Sequence, residues 1–127
     1  MKLEHVALQV ADPVAMARWY VDHLGMRVVR AGDPPGNARF VADDAGTSIL
    51  ELYAGTLPVP DYAAMDPALL HVAFAAGDVE ATRARLIAAG ASAAGEVVVT
   101  PAGDRFAMLR DPWGLPLQLA GRARPLA

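Results

Sequence analysis

Two histidines open the same tripeptide, His5-Val6-Ala7 and His71-Val72-Ala73, and an aspartate follows each after seven residues, Asp12 and Asp78. Two further polar residues break apolar runs late in each half: Glu51 within Ile49-Leu50-Glu51-Leu52-Tyr53, and Gln118 within Leu117-Gln118-Leu119. Two neutral imidazoles and a carboxylate form a ligand set for a divalent cation such as Fe(II), Mn, Ni, Co or Zn, with positions left open for a substrate. Such a cation acts as a Lewis acid on a carbonyl or enediolate oxygen, or brings dioxygen and substrate together. The plainer alternatives stand beside this one. A strand histidine is more often structural than ligating. Alternation also puts Glu51 opposite Leu50 and Leu52, where solvent exposure alone accounts for it.

Arg39 and Arg105 recur in Arg-Phe pairs and could anchor an anionic substrate, or be exposed strand residues. His23 has no counterpart in the second half and reads as a cation at a helix C-terminus or a surface residue. Trp19, Tyr20 and Phe74 read as core or interface, and Asp111-Pro112-Trp113-Gly114 as a turn. The sequence holds no glycine-rich phosphate loop, G-x-S-x-G elbow or H-E-x-x-H helix. With no cysteine, thiolate ligands, disulfides and a cysteine nucleophile are excluded.

The elements that must carry these residues repeat along the chain. A shift of 66 lays Leu3, His5, Val6, Ala7 and Asp12 over Leu69, His71, Val72, Ala73 and Asp78, and Arg39-Phe40 over Arg105-Phe106. One further residue of shift lays Leu50-Glu51-Leu52 over Leu117-Gln118-Leu119. Leu3 to Val10 alternates as a half-buried strand, with Val6, Leu8 and Val10 on one face and His5 and Ala7 on the other; 69–76 repeats the scheme. Asp12-Pro13 signals a helix start, Val14, Ala17, Tyr20, Val21 and Leu24 give its apolar stripe, and Gly25 its end. Asp78 and Gly90 bracket a second helix with a weaker stripe. Short β-like runs at 26–30, 39–42 and 48–53 complete a βαβββ module. The expectation is an α+β fold of two tandem βαβββ modules, 1–55 and 68–121, whose curved mixed sheets surround a cleft. Residues 56–67 are the linker, with a helical turn near 62–65, and 122–127 a frayed tail.

At 127 residues and 54% apolar content, the chain suits one ordinary domain with a real core. The net charge of -3, with scattered Lys and Arg, argues against nucleic acid as partner. No apolar run approaches membrane-spanning length and the N-terminus lacks a signal-like segment, so the expected setting is soluble and cytoplasmic, without a membrane partner.

The stretches LEHVALQVADPVAMARWYVDHLGMRVV, SILELYAG, LLHVAFAAGDVEATRARLIAAGA and RFAMLRDPWGLPLQLAG resemble the vicinal oxygen chelate superfamily over nearly the whole chain. That superfamily includes glyoxalase I, extradiol dioxygenases, methylmalonyl-CoA epimerase, and fosfomycin and bleomycin resistance proteins. The resemblance implies metal ligation by His5, Glu51 and His71, lyase, isomerase or dioxygenase chemistry on a small substrate with adjacent oxygens, and a homodimer. Gln118 departs from the glutamate usual at its position, and Leu115 from the asparagine often found in the closing turn. A glutamine offers only a neutral oxygen and no useful base, which leaves Glu51 as the proton acceptor. The same departure suits a rival expectation, a metal-free protein that sequesters a small molecule as the bleomycin resistance branch does.

Overall fold

The capped helices and alternating strands form as the sequence implies, in a computed structural model that describes residues 1–127. The chain divides into two units, Met1–Pro60 and Asp61–Ala127. In the first, β1 (Val6–Gln9), α1 (Pro13–Leu24), β2 (Arg27–Ala31), β3 (Arg39–Ala42) and β4 (Ile49–Tyr53) follow in order. The sheet order is β1-β4-β3-β2, with β1 parallel to β4 and the other neighbours antiparallel. In the second, β5 (Val72–Ala75), α2 (Val79–Ala88), β6 (Ser92–Ala93), β7 (Val98–Val99), β8 (Arg105–Arg110) and β9 (Pro116–Gly121) give the order β5-β9-β8-β6, with β7 also paired to β8. The second β run of this module, the counterpart of β2, is thus split into two short strands on one partner. The expected turn in the connecting segment is a 3-10 turn at Tyr62–Ala64.

Asp12 accepts from the Ala15 N–H at 3.0 Å, Pro13 occupies the first turn, and Gly25 closes α1 at φ 68, a left-handed conformation that costs other residues more. The buried stripe of α1 is Pro13, Met16, Ala17 and Tyr20, with Trp19 beside it, whereas Val14 is exposed. The stripe is therefore rotated from the one expected through Val14, because the flexible Met16 fills the interior in its place. It packs against β2, β3 and β4, over a core that includes Leu8, Val10, Val41 and Leu52. Each such side chain stabilises the unit by about 1.5–3 kcal/mol on full burial.

Asp78 caps α2 in the same way, through the Ala81 N–H at 2.9 Å, and Val79 and Leu86 bury against β8 and β9, whose Ala107, Leu109, Leu117 and Leu119 are buried. Asp111 is itself buried and accepts from the N–H groups of Trp113 and Leu115, both at 2.9 Å, which makes 111–114 the tight turn the sequence indicates. The Arg110 guanidinium donates to the carbonyls of Tyr62, Met65 and Gly114, tying the 3-10 turn to the β8–β9 hairpin.

Candidate functional site

Strand register assigns each candidate residue to a sheet face. In the first unit Leu8 pairs with Leu52 and Val41 with Leu50, all on the side covered by α1. Ala7 pairs with Glu51 and Phe40 with Glu51, so these residues share the other side, and His5 joins them two residues before Ala7. On that side His5 Nε2 lies 3.1 Å from Glu51 Oε2, with the two side chains 31% and 22% exposed. The Phe40 ring meets the imidazole edge-on, with centroids 5.6 Å apart and planes at 85°. The other imidazole nitrogen, Nδ1, hydrogen-bonds the Glu4 carboxylate.

The second unit builds a parallel arrangement. Gln118 pairs with Ala73 and Met108, on the face away from Leu117 and Leu119, and His71 precedes Ala73 by two. His71 Nδ1 lies 2.8 Å from the carbonyl of Pro67. A carbonyl only accepts, so in its neutral form His71 carries its proton on Nδ1 and leaves Nε2 with a lone pair.

These donors fit a divalent cation chemically. Two ligands about 2.0–2.2 Å from one ion stand roughly 3 Å apart, close to the observed His5–Glu51 separation. No group of three His, Cys, Asp or Glu side chains with metal-binding spacing forms in either unit or in the chain as a whole. The first supplies an imidazole and a carboxylate, the second an imidazole and a neutral amide.

The arginines lie elsewhere. Arg39 pairs with Leu52 and so belongs to the α1 side, where its Nη1 donates to the carbonyls of Gly32, Asn37 and Ala38 at 3.0–3.2 Å. Arg105 pairs with Gly121 across β9, on the α2 side, and its Nε donates to Glu80 at 2.8 Å. That hydrogen bond holds the Glu80 carboxyl below its ordinary range and raises the guanidinium pKa further. The structure brings neither arginine to the face of Glu51 or of Gln118. Nor are the two equivalent: Phe40 pairs with Glu51 while Met108 pairs with Gln118, so the counterpart of Arg39 is Ala107.

One cation absent from the sequence reading does reach the Glu51 side. Arg30 pairs with Phe40 beyond a register shift between Val28 and Arg30, and its guanidinium lies 6.0 Å from the Phe40 ring centre. No sequence signal marks that shift. Glu4 was equally unmarked, although its position next to His5 was visible.

The family profile described as Glyoxalase/Bleomycin resistance protein/Dioxygenase superfamily matches residues 2–119. Among solved structures, the chain is similar to SMU.1112c at 32% identity, covering 94% of this chain and 98% of that one, with a TM-score of 0.73. A glyoxalase family protein from Bacillus cereus superposes with a TM-score of 0.80 at 19% identity, over 95% of this chain and 93% of that one. TnmS3 from Streptomyces sp. CB03234, described as an antibiotic binding protein, is 25% identical with a TM-score of 0.71, over 97% and 99% of the two chains. No curated protein matches the chain.

Proposed function

The chain belongs to the Glyoxalase/Bleomycin resistance protein/Dioxygenase superfamily, and from that premise we propose a divalent-cation-dependent enzyme, a glyoxalase-like lyase or isomerase or a dioxygenase, acting on a small molecule with two adjacent oxygens. The observation that carries this reading is the approach of His5 Nε2 to Glu51 Oε2 at 3.1 Å on the sheet face away from α1. His71, with its Nε2 lone pair left free, and the Gln118 amide oxygen supply the other half of the set. The candidate ions are Fe(II), Mn, Ni, Co and Zn, all of which accept imidazole and carboxylate together.

When bound, the cation polarises the substrate oxygens. His5 and His71 hold it as neutral ligands. Glu51, the one carboxylate of the set, accepts a proton at a carboxylate oxygen, a role the neutral Gln118 amide cannot take. Within its own unit each of Arg39 and Arg105 lies on the helix side of the sheet, where it would meet the portion of an anionic substrate that reaches that side. Exposed apolar residues beside the sheets, among them Leu3, Val28, Val29, Leu69, Val98 and Val99, favour a homodimer. No helix is long and apolar enough to cross a membrane. The lack of cysteine accords with a cytoplasmic setting.

Elemental analysis of protein purified without chelator or affinity nickel tests this reading. Near-stoichiometric metal in the parent, lost in Glu51→Ala and in His71→Ala, is the expected result. A parent that takes up no Fe(II), Mn, Ni, Co or Zn sinks it.

A second reading has its own observation. Gln118 removes one carboxylate from the set, and the antibiotic binding protein TnmS3 shares the fold at 25% identity. Under it the same sheet faces sequester a small molecule without metal, and Glu51→Ala leaves ligand binding independent of added cations.

A further inference from the structure

We propose that Glu4, outside the ligand set, is a positioning residue that keeps the proton of His5 on Nδ1 and so turns the Nε2 lone pair toward Glu51; the inference rests on the reading of His5 as a cation ligand. A neutral imidazole has one N–H and one lone pair. Both ring nitrogens of His5 face carboxylates: Nδ1 meets Glu4 Oε2, and Nε2 lies 3.1 Å from Glu51 Oε2. Ionised carboxylates only accept, so one neutral ring cannot donate to both. Which carboxylate receives the proton decides which nitrogen can bind a cation.

Histidine free in water favours the form protonated at Nε2. In this site that form points its proton at Glu51 and blocks ligation. The Glu4 carboxylate at Nδ1 opposes that preference by offering the proton another acceptor, and the Phe40 ring packs perpendicular to the imidazole with centroids 5.6 Å apart. His71 reaches the same state by another route, its Nδ1 held by the Pro67 carbonyl. One histidine is thus set by a side chain and the other by backbone, and a substitution can remove only the first. The Glu4 side chain is 81% exposed, so its pull is screened by water. Removing it is expected to weaken cation binding about tenfold, the low end for partners of ligating histidines.

Long-range proton–nitrogen correlation spectra of metal-free, 15N-histidine-labelled protein test the tautomer directly, above the ordinary histidine range of about 6.5. A Glu51→Ala background removes the competing carboxylate. There His5 is expected to be protonated at Nδ1, to switch to Nε2 on adding Glu4→Ala, and to return to Nδ1 with Glu4→Gln, whose amide oxygen still accepts. With Glu51 intact, calorimetry with Zn2+ is expected to show about tenfold weaker binding for Glu4→Ala and a smaller loss for Glu4→Gln. An unchanged His5 tautomer overturns the proposal, as does unchanged zinc affinity in Glu4→Ala of a parent that binds zinc. If the parent binds no zinc, the cation reading fails, and the tautomer spectra alone decide the role of Glu4.

Discussion

His5 Nε2, on the residue just before β1, and Glu51 Oε2, on the parallel neighbour β4, stand 3.1 Å apart, a spacing that suits one shared proton or one shared cation. A shared cation makes the folded state metal-linked. At cation concentrations about a hundredfold above Kd, the parent should gain about 2.7 kcal/mol, several degrees of Tm for a chain of this size. Thermal melts with and without Zn2+ or Mn2+ should show that gain in the parent and lose most of it in Glu51→Ala. Equal metal response in both proteins removes Glu51 from the ligand set.

Gln118 offers an amide where a carboxylate would add charge. Gln118→Glu should therefore bind divalent cations about tenfold more tightly, equivalent to roughly 1.4 kcal/mol. Calorimetric titration of the two proteins measures it. Unchanged affinity means that Gln118 does not approach the ion.

Asp43 governs the hairpin that leads into the strand of Glu51. Its Oδ1 accepts from the N–H groups of Thr47 at 2.9 Å and Ser48 at 3.1 Å. The Ser48 N–H is the main cause of a carboxyl pKa below the ordinary value; Thr47, Gly46 and the Arg27 charge act in the same direction, and burial opposes them. A depressed carboxyl pKa contributes stability that is present above the unfolded value of about 3.9 and lost as pH falls through the folded one. Asp43→Ala should cost about 1 kcal/mol at neutral pH. In urea titrations over a pH series, the gap between parent and variant should narrow below about pH 3.9. A gap constant down to acid pH would mean that the charged form is not what holds the turn.

Gly114 lies at φ 89, and a Cβ there would stand 2.7 Å from Ala63 Cβ and 2.9 Å from Ala63 backbone atoms. The positive φ and the overlap act together, so Gly114→Ala should destabilise by about 2–4 kcal/mol. Urea denaturation reads this directly. A loss below about 1 kcal/mol would show that the 3-10 turn can move away from the hairpin without cost.

The chain mass is 13.3 kDa. Size-exclusion chromatography with light scattering should report twice that value if the exposed apolar residues beside the sheets are covered by a second copy. A stable species of single-chain mass at every concentration sinks the homodimer.

Much of this fold could be read directly from residue order. The caps Asp12 and Asp78, the stop at Gly25, the turn at 111–114 and the strands around Glu51 and Gln118 depend on neighbours a few residues away, and the structure has each where the sequence implies. Strand alternation likewise put His5 on the side opposite Leu8 and Val10, because side chains on a strand repeat every two residues. The same local rule separates Glu51 from Leu50 and Leu52 before any partner strand is known.

What the residue order could not decide was register between strands, since pairing joins segments far apart in the chain. A shift of 66 made Arg39 and Arg105 look equivalent, but pairing to β4 and β9 makes Ala107 the counterpart of Arg39 and leaves both arginines on the helix sides. The irregularity between Val28 and Arg30 carries Arg30 to the side of Phe40 and Glu51, and a bulge of that kind leaves no signature in residue types. Sequence alone therefore determined the elements and the candidate ligands. Tertiary structure decided which side chains share a face, and it brought Glu4 and Pro67 to the Nδ1 atoms of the two histidines, because rotamers and strand register are settled only when the chain packs.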